Sequence, residues 1–371
     1  MMTSLIVTRN KIFVMHVNLS HLVFKIPCFK KQQGFVAILI LVVVSLTAVG
    51  FIFNLMNLSS FKEMHVNKTG QALVQAKEAL IGFSVGNASM PGALPCPDTN
   101  NDGISDPCSA GTSIGRLPWK TLGMSDIRDA DGECLWYALS PVFRNTLSVS
   151  TRGNTQPALN SATAGSITVF NEQGVALPVP VNKVIALIIA PSISLSSQSR
   201  TNLGSTVCGG NNTASNYLDS SNGINNATGN RVGNNLSFIM GKLGSSFNDQ
   251  LIYITQEDLY KPLRKRIAKE IMGNFGVIKG LSKYYQVNTQ YPCPATTVTG
   301  IQYCPASGGY IPYSDPQMQY PSLGTWLIKN GWFGLTNYYH SNSTPTQSSF
   351  SVGVFSLTST CTANNASVTC N

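Results

Sequence analysis

An apolar run over residues 35–53 dominates the hydrophobic pattern of this chain. No charged residue lies between Lys31 and Lys62. At about 1.5 Å per residue, a helix over this run is close in length to the roughly 30 Å of hydrocarbon in a bilayer. The pattern therefore predicts a membrane-spanning helix.

The helical pattern continues beyond the apolar run. Apolar positions recur every three or four residues, which is the period of one helix face. They are Leu73, Ala76, Leu80, Ile81 and Phe83. Gly86 and Pro91 end the pattern. We therefore predict one helix over residues 35–84, with a membrane-spanning half followed by an amphipathic half.

A second helix is predicted over residues 256–286, where one face is apolar. Its apolar positions are Leu259, Leu263, Ile267, Ile271, Phe275, Ile278, Leu281 and Tyr285. Residues 192–235 are rich in Ser, Asn and Gly, which predicts a long surface loop. The predicted strands are residues 166–170, 183–190 and 250–255, with a C-terminal hairpin over residues 349–370.

The part of the chain after residue 84 contains an internal repeat, and each copy follows a helix. The first copy reads Leu94-Pro95-Cys96-Pro97, then Cys108, then Gly115-Arg116-Leu117-Pro118-Trp119. The second copy reads Tyr291-Pro292-Cys293-Pro294, then Cys304, then Gly309-Tyr310-Ile311-Pro312-Tyr313. Two copies without a short fixed period predict a duplicated domain rather than a solenoid.

Charge narrows the class of protein. The net charge is +9, but five of the 25 basic residues lie in residues 1–34, which contain no acidic residue, and the remainder has 20 basic residues against 16 acidic ones. That balance does not indicate a nucleic-acid-binding domain. Positive charge before the apolar run favours a cytoplasmic N-terminus. We therefore predict a single-pass membrane protein whose C-terminal part is exported.

The junction Lys30-Lys31-Gln32-Gln33-Gly34-Phe35 resembles the leader of type IV pilins and type II secretion pseudopilins. The resemblance implies that a prepilin peptidase cuts after Gly34 and that the new N-terminal Phe35 is methylated. Most family members carry Glu at the fifth residue after the cut, where this chain has Leu39. In lacking this glutamate, the chain is similar to certain minor subunits, including the tip pseudopilin. A plain signal anchor, or a secretory signal cut near Ala48-Val49-Gly50, is the alternative.

The predicted elements and the repeat, taken together with the resemblance, give a fold and a domain order. We predict an α+β fold, in which the long N-terminal helix packs on an enlarged, duplicated pilin-like head with an antiparallel sheet and disulfide-closed loops. The predicted order is leader 1–34, helix 35–84, first Cys/Pro loop unit 85–150, strand and Ser/Asn-rich region 151–255, and second helix with its loop unit and hairpin 256–371. The predicted location is the bacterial inner membrane, with a cytoplasmic N-terminus and a periplasmic or extracellular head.

By the same resemblance, the chain is expected to be a minor pilin or pseudopilin in a type II secretion or type IV pilus-like filament, near its tip. Its partners would be the prepilin peptidase, other pilins or pseudopilins and an inner-membrane assembly platform. The alternative is a membrane-anchored exported binding protein or adhesin without a filament role. A methylated Phe35 in the mature protein would separate the two.

No enzymatic activity is predicted. Gly111-Thr112-Ser113-Ile114-Gly115 matches the G-x-S-x-G nucleophile elbow, but that elbow needs a strand before it and a helix after it. Pro107-Cys108 precedes the motif and Arg116-Leu117-Pro118 follows it. His340 is the only histidine downstream.

The cysteines beyond the predicted leader are even in number, which in an exported chain indicates disulfides. Three pairs are close in sequence, namely Cys96/Cys108, Cys293/Cys304 and Cys361/Cys370, and Cys134/Cys208 remains by elimination. Sequence alone does not prove this pairing. Zinc is a weaker interpretation, because there is no C-x-x-C motif and only two histidines follow the leader.

The segment from Asp98 to Asp106 resembles the calcium loops of EF-hands, dockerins and thrombospondin type 3 repeats. The side chains of Asp98, Asn100, Asp102 and Asp106 and the carbonyl of Ile104 would be the ligands. Ser109 stands where an EF-hand has a bidentate Glu. An Asx-turn loop without metal is the alternative. A second acidic group, Asp126, Asp129, Asp131 and Glu133, could bind calcium in the same way, but it is predicted to be a solvated turn.

Overall fold

The computed structural model describes residues 4–8, 11–15, 33–108, 113–145, 158–178, 184–200, 208, 210–273, 279–304, 308–318, 320, 325–340, 343–353, 359–364 and 367–370. The side chains of residues 4–15, 33–35, 50–62, 325, 359–361, 367 and 370 are outside this description.

Helices and short strands alternate along the described chain. The helices are α1 (Gln33–Gly86), α2 (Gln256–Met272), α3 (Gly280–Asn288) and α4 (Thr325–Lys329). The strands are β1 (Ser4–Thr8), β2 (Lys11–Met15), β3 (Ile114–Arg116), β4 (Trp136–Leu139), β5 (Ile167–Phe170), β6 (Ala186–Ala190), β7 (Ser220–Ser221), β8 (Ile224–Asn225), β9 (Leu236–Ile239), β10 (Gln250–Ile254), β11 (Gly308–Gly309), β12 (Thr336–His340), β13 (Gln347–Val352), β14 (Ser359–Asn364) and β15 (Ser367–Cys370).

The chain divides into two compact units, Met1–Lys62 and Glu63–Asn371. In the first unit, β1 and β2 form an antiparallel hairpin in which Ser4 pairs with Met15. Helix α1 begins in this unit and ends in the second. The sheets that contain β3 to β15 belong to the second unit.

One sheet of the second unit has the order β10-β6-β4-β3, and its neighbouring strands are antiparallel. All five residues of β6 are buried, because the sheet is covered on both faces. The larger of two clusters of buried apolar residues, which we call the main core, contains Ile188 together with residues of α1 and α2. Ile189 packs into a second cluster with Tyr217 and Phe238. This double burial is the physical reason for the continuous apolar run in the sequence.

The other large sheet is an antiparallel meander in the order β11-β12-β13-β14-β15. Burial alternates along β12, so that one face of this sheet is packed and the other is exposed. Tyr338 and Phe350 pair across β12 and β13 and belong to the same main core as Tyr137 of the first sheet. The two sheets therefore share one core within the second unit.

The C-terminal part of α1 buries the predicted face against this core. Leu73, Ala76, Leu80 and Ile81 are buried, which confirms those positions of the stripe. Lys77, on the same part of the helix, lies 2.9 Å from the carboxylate of Asp258 at the start of α2. Thr255 and Asp258 form a capping box, which satisfies free backbone N–H groups at the start of α2.

The single helix predicted over residues 256–286 was wrong, because two helices occupy this segment. Gly273 ends α2 in the left-handed conformation, with φ of 82°. A Cβ at this position would lie 1.8 Å from the carbonyl oxygen of Lys279. Only glycine fits where the chain returns so closely on itself. Leu281 of α3 is buried as predicted.

The strands predicted at residues 166–170, 183–190 and 250–255 are confirmed as β5, β6 and β10. The C-terminal hairpin is part of a larger meander. One pair departs from the predicted antiparallel arrangement, since β5 and β9 are parallel.

The predicted α+β fold, built on a helix with a membrane-spanning half, was wrong. The described chain is a mixed α/β structure with several separate sheets, and within it no helix is both long and apolar enough to cross a membrane. The prediction of a single-pass location in the inner membrane was therefore wrong.

Candidate functional site

The N-terminal part of α1 exposes a continuous apolar surface, which we call the apolar segment and define as residues 36–49. Every residue in it is exposed and none is charged. Leu41 exposes 71% of its surface. The hydroxyls of Ser45 and Thr47 donate hydrogen bonds to helix carbonyls three residues earlier, so these positions also offer few polar groups to a partner. Exposed apolar surfaces of this extent mark interaction sites.

The predicted processing site lies at the start of the same helix. Gly34 and Phe35 are the second and third residues of α1, and their side chains are outside the described residues. Cleavage after Gly34 stays a prediction.

The internal repeat is present in three dimensions. In the first copy, Asp98 and Arg116 exchange both backbone hydrogen bonds, at 3.0 and 2.7 Å. In the second copy, Ala295 and Tyr310 exchange the same two bonds, at 2.8 and 2.9 Å. Each bridge lies two residues after the first cysteine of its copy and closes the base of the loop.

A glycine lies beside each bridge, opposite a buried tyrosine. Gly115 pairs with Tyr137 across β3 and β4, and Gly309 pairs with Tyr338 across β11 and β12. A Cβ at Gly115 would lie 2.5 Å from the carbonyl oxygen of Asp98, and one at Gly309 would lie 2.3 Å from that of Ala295. Both copies therefore need glycine for the same close approach of two strands.

Three of the predicted disulfides are confirmed. The Cα atoms are 5.4 Å apart in Cys96–Cys108, 5.7 Å in Cys134–Cys208 and 4.8 Å in Cys293–Cys304, within the usual range for a disulfide. Cys361 and Cys370 face each other in the register of β14 and β15. Their side chains are outside the described residues, so this fourth pair stays a prediction.

The segment from Asp98 to Asp106, which we call the acidic loop, is stabilised by hydrogen bonds to its own carboxylates. Asp98 is buried, and its carboxylate accepts backbone N–H groups, among them those of Asn101 at 2.6 Å and Gly103 at 2.7 Å. The carboxylate of Asp106 accepts the backbone N–H of Thr99 at 2.6 Å. Burial raises the pKa of Asp98, and the nearby charge of Asp102 raises it further. The loop thus concentrates negative charge on a tightly curled backbone.

Calcium binding by this loop stays a prediction. The backbone N–H of Asp102 donates to Asn100, and that of Ile104 donates to Asp102, which gives the curled path that a calcium loop also needs. The same bonds form an Asx-turn loop without metal. Among the described residues, no group of three or more His, Cys, Asp or Glu side chains is arranged to hold a metal ion.

If the loop binds calcium, about 5 mM calcium should raise the unfolding midpoint of the full chain by a few degrees relative to chelator, as expected for a weak extracellular-type site. The cation would relieve the repulsion between Asp98 and Asp102. Thermal unfolding measures the shift, with Asp102→Asn expected to abolish it. The control Asp126→Asn lies outside the loop and should keep the shift. An unchanged wild-type midpoint would make the loop a turn only.

The second acidic group differs from the predicted solvated turn. Asp129 is buried, and its carboxylate accepts the backbone N–H groups of Asp131, Glu133 and Ser192 at 2.9–3.0 Å. Asp131 lies 3.0 Å from the Nε2 atom of His65 on α1. Asp129 therefore holds the loop over residues 126–133 together, and Asp131 connects that loop to α1.

The G-x-S-x-G motif does not have the order of a nucleophile elbow. Strand β3 begins at Ile114, after the serine instead of before it. Ser113 is buried, and its hydroxyl accepts a hydrogen bond from Arg144 at 3.1 Å.

Sequence reasoning did not single out Arg116. This residue is only 2% exposed, and its guanidinium lies over the rings of Trp136 and Tyr217. The available signal was one basic residue between Gly115 and Leu117 in a short buried strand.

Comparison with protein-family models, with curated proteins and with solved structures finds no match for this chain. The function must therefore be inferred from the geometry of the apolar segment and the duplicated loop units.

Proposed function

We propose that this protein is a minor pilin or pseudopilin, a structural subunit of a type II secretion or type IV pilus-like filament. The exposed apolar segment of α1 carries this proposal. Its side chains gain roughly 1.5–3 kcal/mol each when fully buried, so a helix of this kind has a strong tendency to pack against other apolar surfaces. Equivalent helices of neighbouring subunits would cover it in a filament core.

A minor position, at or near the tip, fits two further observations. The second unit carries two copies of the helix-plus-loop arrangement, which makes it bulky for a repeating shaft subunit. Leu39, exposed within the apolar segment, supplies no carboxylate to a neighbouring N-terminal amine. A subunit without that carboxylate would not need to pair with one preceding it in the filament.

The partners of this proposal are the prepilin peptidase, other pilins or pseudopilins and their assembly platform. The confirmed disulfides are compatible with it, because such bonds persist in proteins of oxidising compartments.

The proposal predicts that the apolar segment contacts other subunits. A photo-crosslinking amino acid at Leu41 in the native host should trap pilins or pseudopilins, identified by mass spectrometry. The same group at Val74 is the control, because Val74 is also exposed on α1 but lies outside the apolar segment. Gly34→Leu should retain the leader and lose the Leu41 adducts.

The alternative, a binding protein or adhesin without a filament role, gives a different pattern. Position 41 would then form no adduct with pilin-like subunits, and the Gly34→Leu change would alter the mass of the mature protein by the substituted side chain at most, without adding the mass of a leader. That pair of results would overturn the proposal.

A further inference from the structure

A small pocket lies beside the first copy of the repeat. Its volume is about 110 Å³, below the roughly 300–1,000 Å³ of sites for drug-sized ligands. Asp98, Arg116 and Trp136 are among the residues that line it. Its size fits a single small polar group and does not fit a nucleotide or an oligosaccharide.

The buried guanidinium of Arg116 is the main charged group of this pocket. Its carbon Cζ lies 4.2 Å from the ring centre of Trp136 and 4.0 Å from that of Tyr217. Its hydrogen bonds go to the carbonyl oxygens of Cys134, at 2.9 Å, and Asn211, at 3.5 Å, and it also interacts with the side chain of Tyr217. None of these partners is an acidic side chain.

Arg116 has no carboxylate of its own. Within the described part of the chain, which holds every acidic side chain of the sequence, none lies within salt-bridge distance of it. The charge of Glu133 favours the charged form of Arg116, but the Glu133 carboxylate is bonded at 3.0 Å to a second arginine, Arg200. Asp98 also lines the pocket, but its carboxylate is engaged with backbone N–H groups of the acidic loop. A buried cation without an anion is costly.

Two buried donors of the pocket-lining residues lack a hydrogen-bond partner. They are Nε of Arg116 and Nε1 of Trp136. Burial lowers the pKa of Arg116 to about 10, so the side chain remains charged at neutral pH. One cation and two free donors call for an acceptor that carries negative charge. The second copy has Tyr310 at the position of Arg116 and thus lacks this charge.

We propose that the pocket binds one carboxylate-sized oxyanion, which accepts hydrogen bonds from Arg116 and Trp136. The anion is either a free small oxyanion or the side-chain carboxylate of another protein. This inference stands independently of the filament role.

The test uses the full chain and three probes, namely acetate, inorganic phosphate and a short peptide with one glutamate and blocked ends. Each is titrated at constant ionic strength against chloride. We expect a saturable shift of the Trp136 indole N–H resonance, because this donor gains a partner, together with a higher unfolding midpoint. The probe that binds most tightly identifies the source of the oxyanion.

Variants make the result specific. Trp136→Phe keeps an aromatic ring and removes one donor, so the affinity obtained from the unfolding midpoint should fall about tenfold. Arg116→Lys should lose more, because lysine cannot reproduce the planar fork. Lys265→Gln removes an exposed basic residue of α2, outside the pocket, and should leave binding unchanged. If no probe shifts the Trp136 resonance, or if Trp136→Phe binds as tightly as wild type, the proposal is wrong.

Discussion

Replacing Gly309 with alanine should destabilise the protein by roughly 3 kcal/mol, at the upper end of overpacking effects. The added Cβ would lie 2.3 Å from the carbonyl oxygen of Ala295. That atom belongs to a backbone bridge that closes the second loop, so it cannot move aside as a flexible side chain would. Gly115→Ala in the first copy meets the carbonyl of Asp98 at 2.5 Å and should cost about as much.

Denaturant unfolding of the full chain measures both effects. The matched control is Gly82→Ala in α1, where a Cβ meets no atom within 4 Å. Alanine there should be neutral or stabilise by up to about 1 kcal/mol, because it favours the helix. If Gly309→Ala behaved like Gly82→Ala, the close approach of the strands would not constrain the fold, and the repeat would be one of sequence only.

The repeat was predictable from sequence because its contacts are local. A cysteine pair and a glycine-containing strand recur with the same order, so the same backbone bridge forms twice. Strands β5, β6 and β10 were predictable for a similar reason, since apolar runs bounded by turn residues are strong strand signals. The core positions of α1 followed from helical spacing alone.

The pocket beside Arg116 was not predictable, because it depends on contacts distant in sequence. Tyr217 lies inside the Ser/Asn-rich segment that was predicted to be a surface loop, yet it is buried. The neighbouring Asp219 and Asp249 are also buried, and Asn226 donates to the carboxylate of Asp249 at 2.9 Å. Polar side chains that bond to one another and to the backbone allow a segment of low hydrophobicity to fold inward.

The membrane prediction also failed because the surroundings of a segment cannot be read from its own residues. Hydropathy alone does not distinguish a helix surrounded by lipid from an apolar segment covered by protein, because both need apolar side chains. The run at residues 36–49 is exposed, and no helix in the described part of the chain is both long and apolar enough to span a membrane.

Removal of the Cys134–Cys208 disulfide should cost about 4 kcal/mol, by the chain-entropy estimate for a loop of 74 residues. It is the long-range covalent link among the three described disulfides, and it joins Cys134, two residues before β4, to the segment that carries Tyr217. The Cys293–Cys304 bond closes a loop of only 11 residues, so its removal should cost about 3 kcal/mol.

The double variants Cys134→Ala/Cys208→Ala and Cys293→Ala/Cys304→Ala test this ranking by denaturant unfolding at equal protein concentration. The first should also weaken oxyanion binding, because the Cys134 carbonyl orients Arg116 at 2.9 Å. The second should leave that binding unchanged, since it lies in the other copy of the repeat. Equal losses of stability, with binding intact in both variants, would mean that the core alone holds the Tyr217 segment in place and that the long-range disulfide adds only a redundant link.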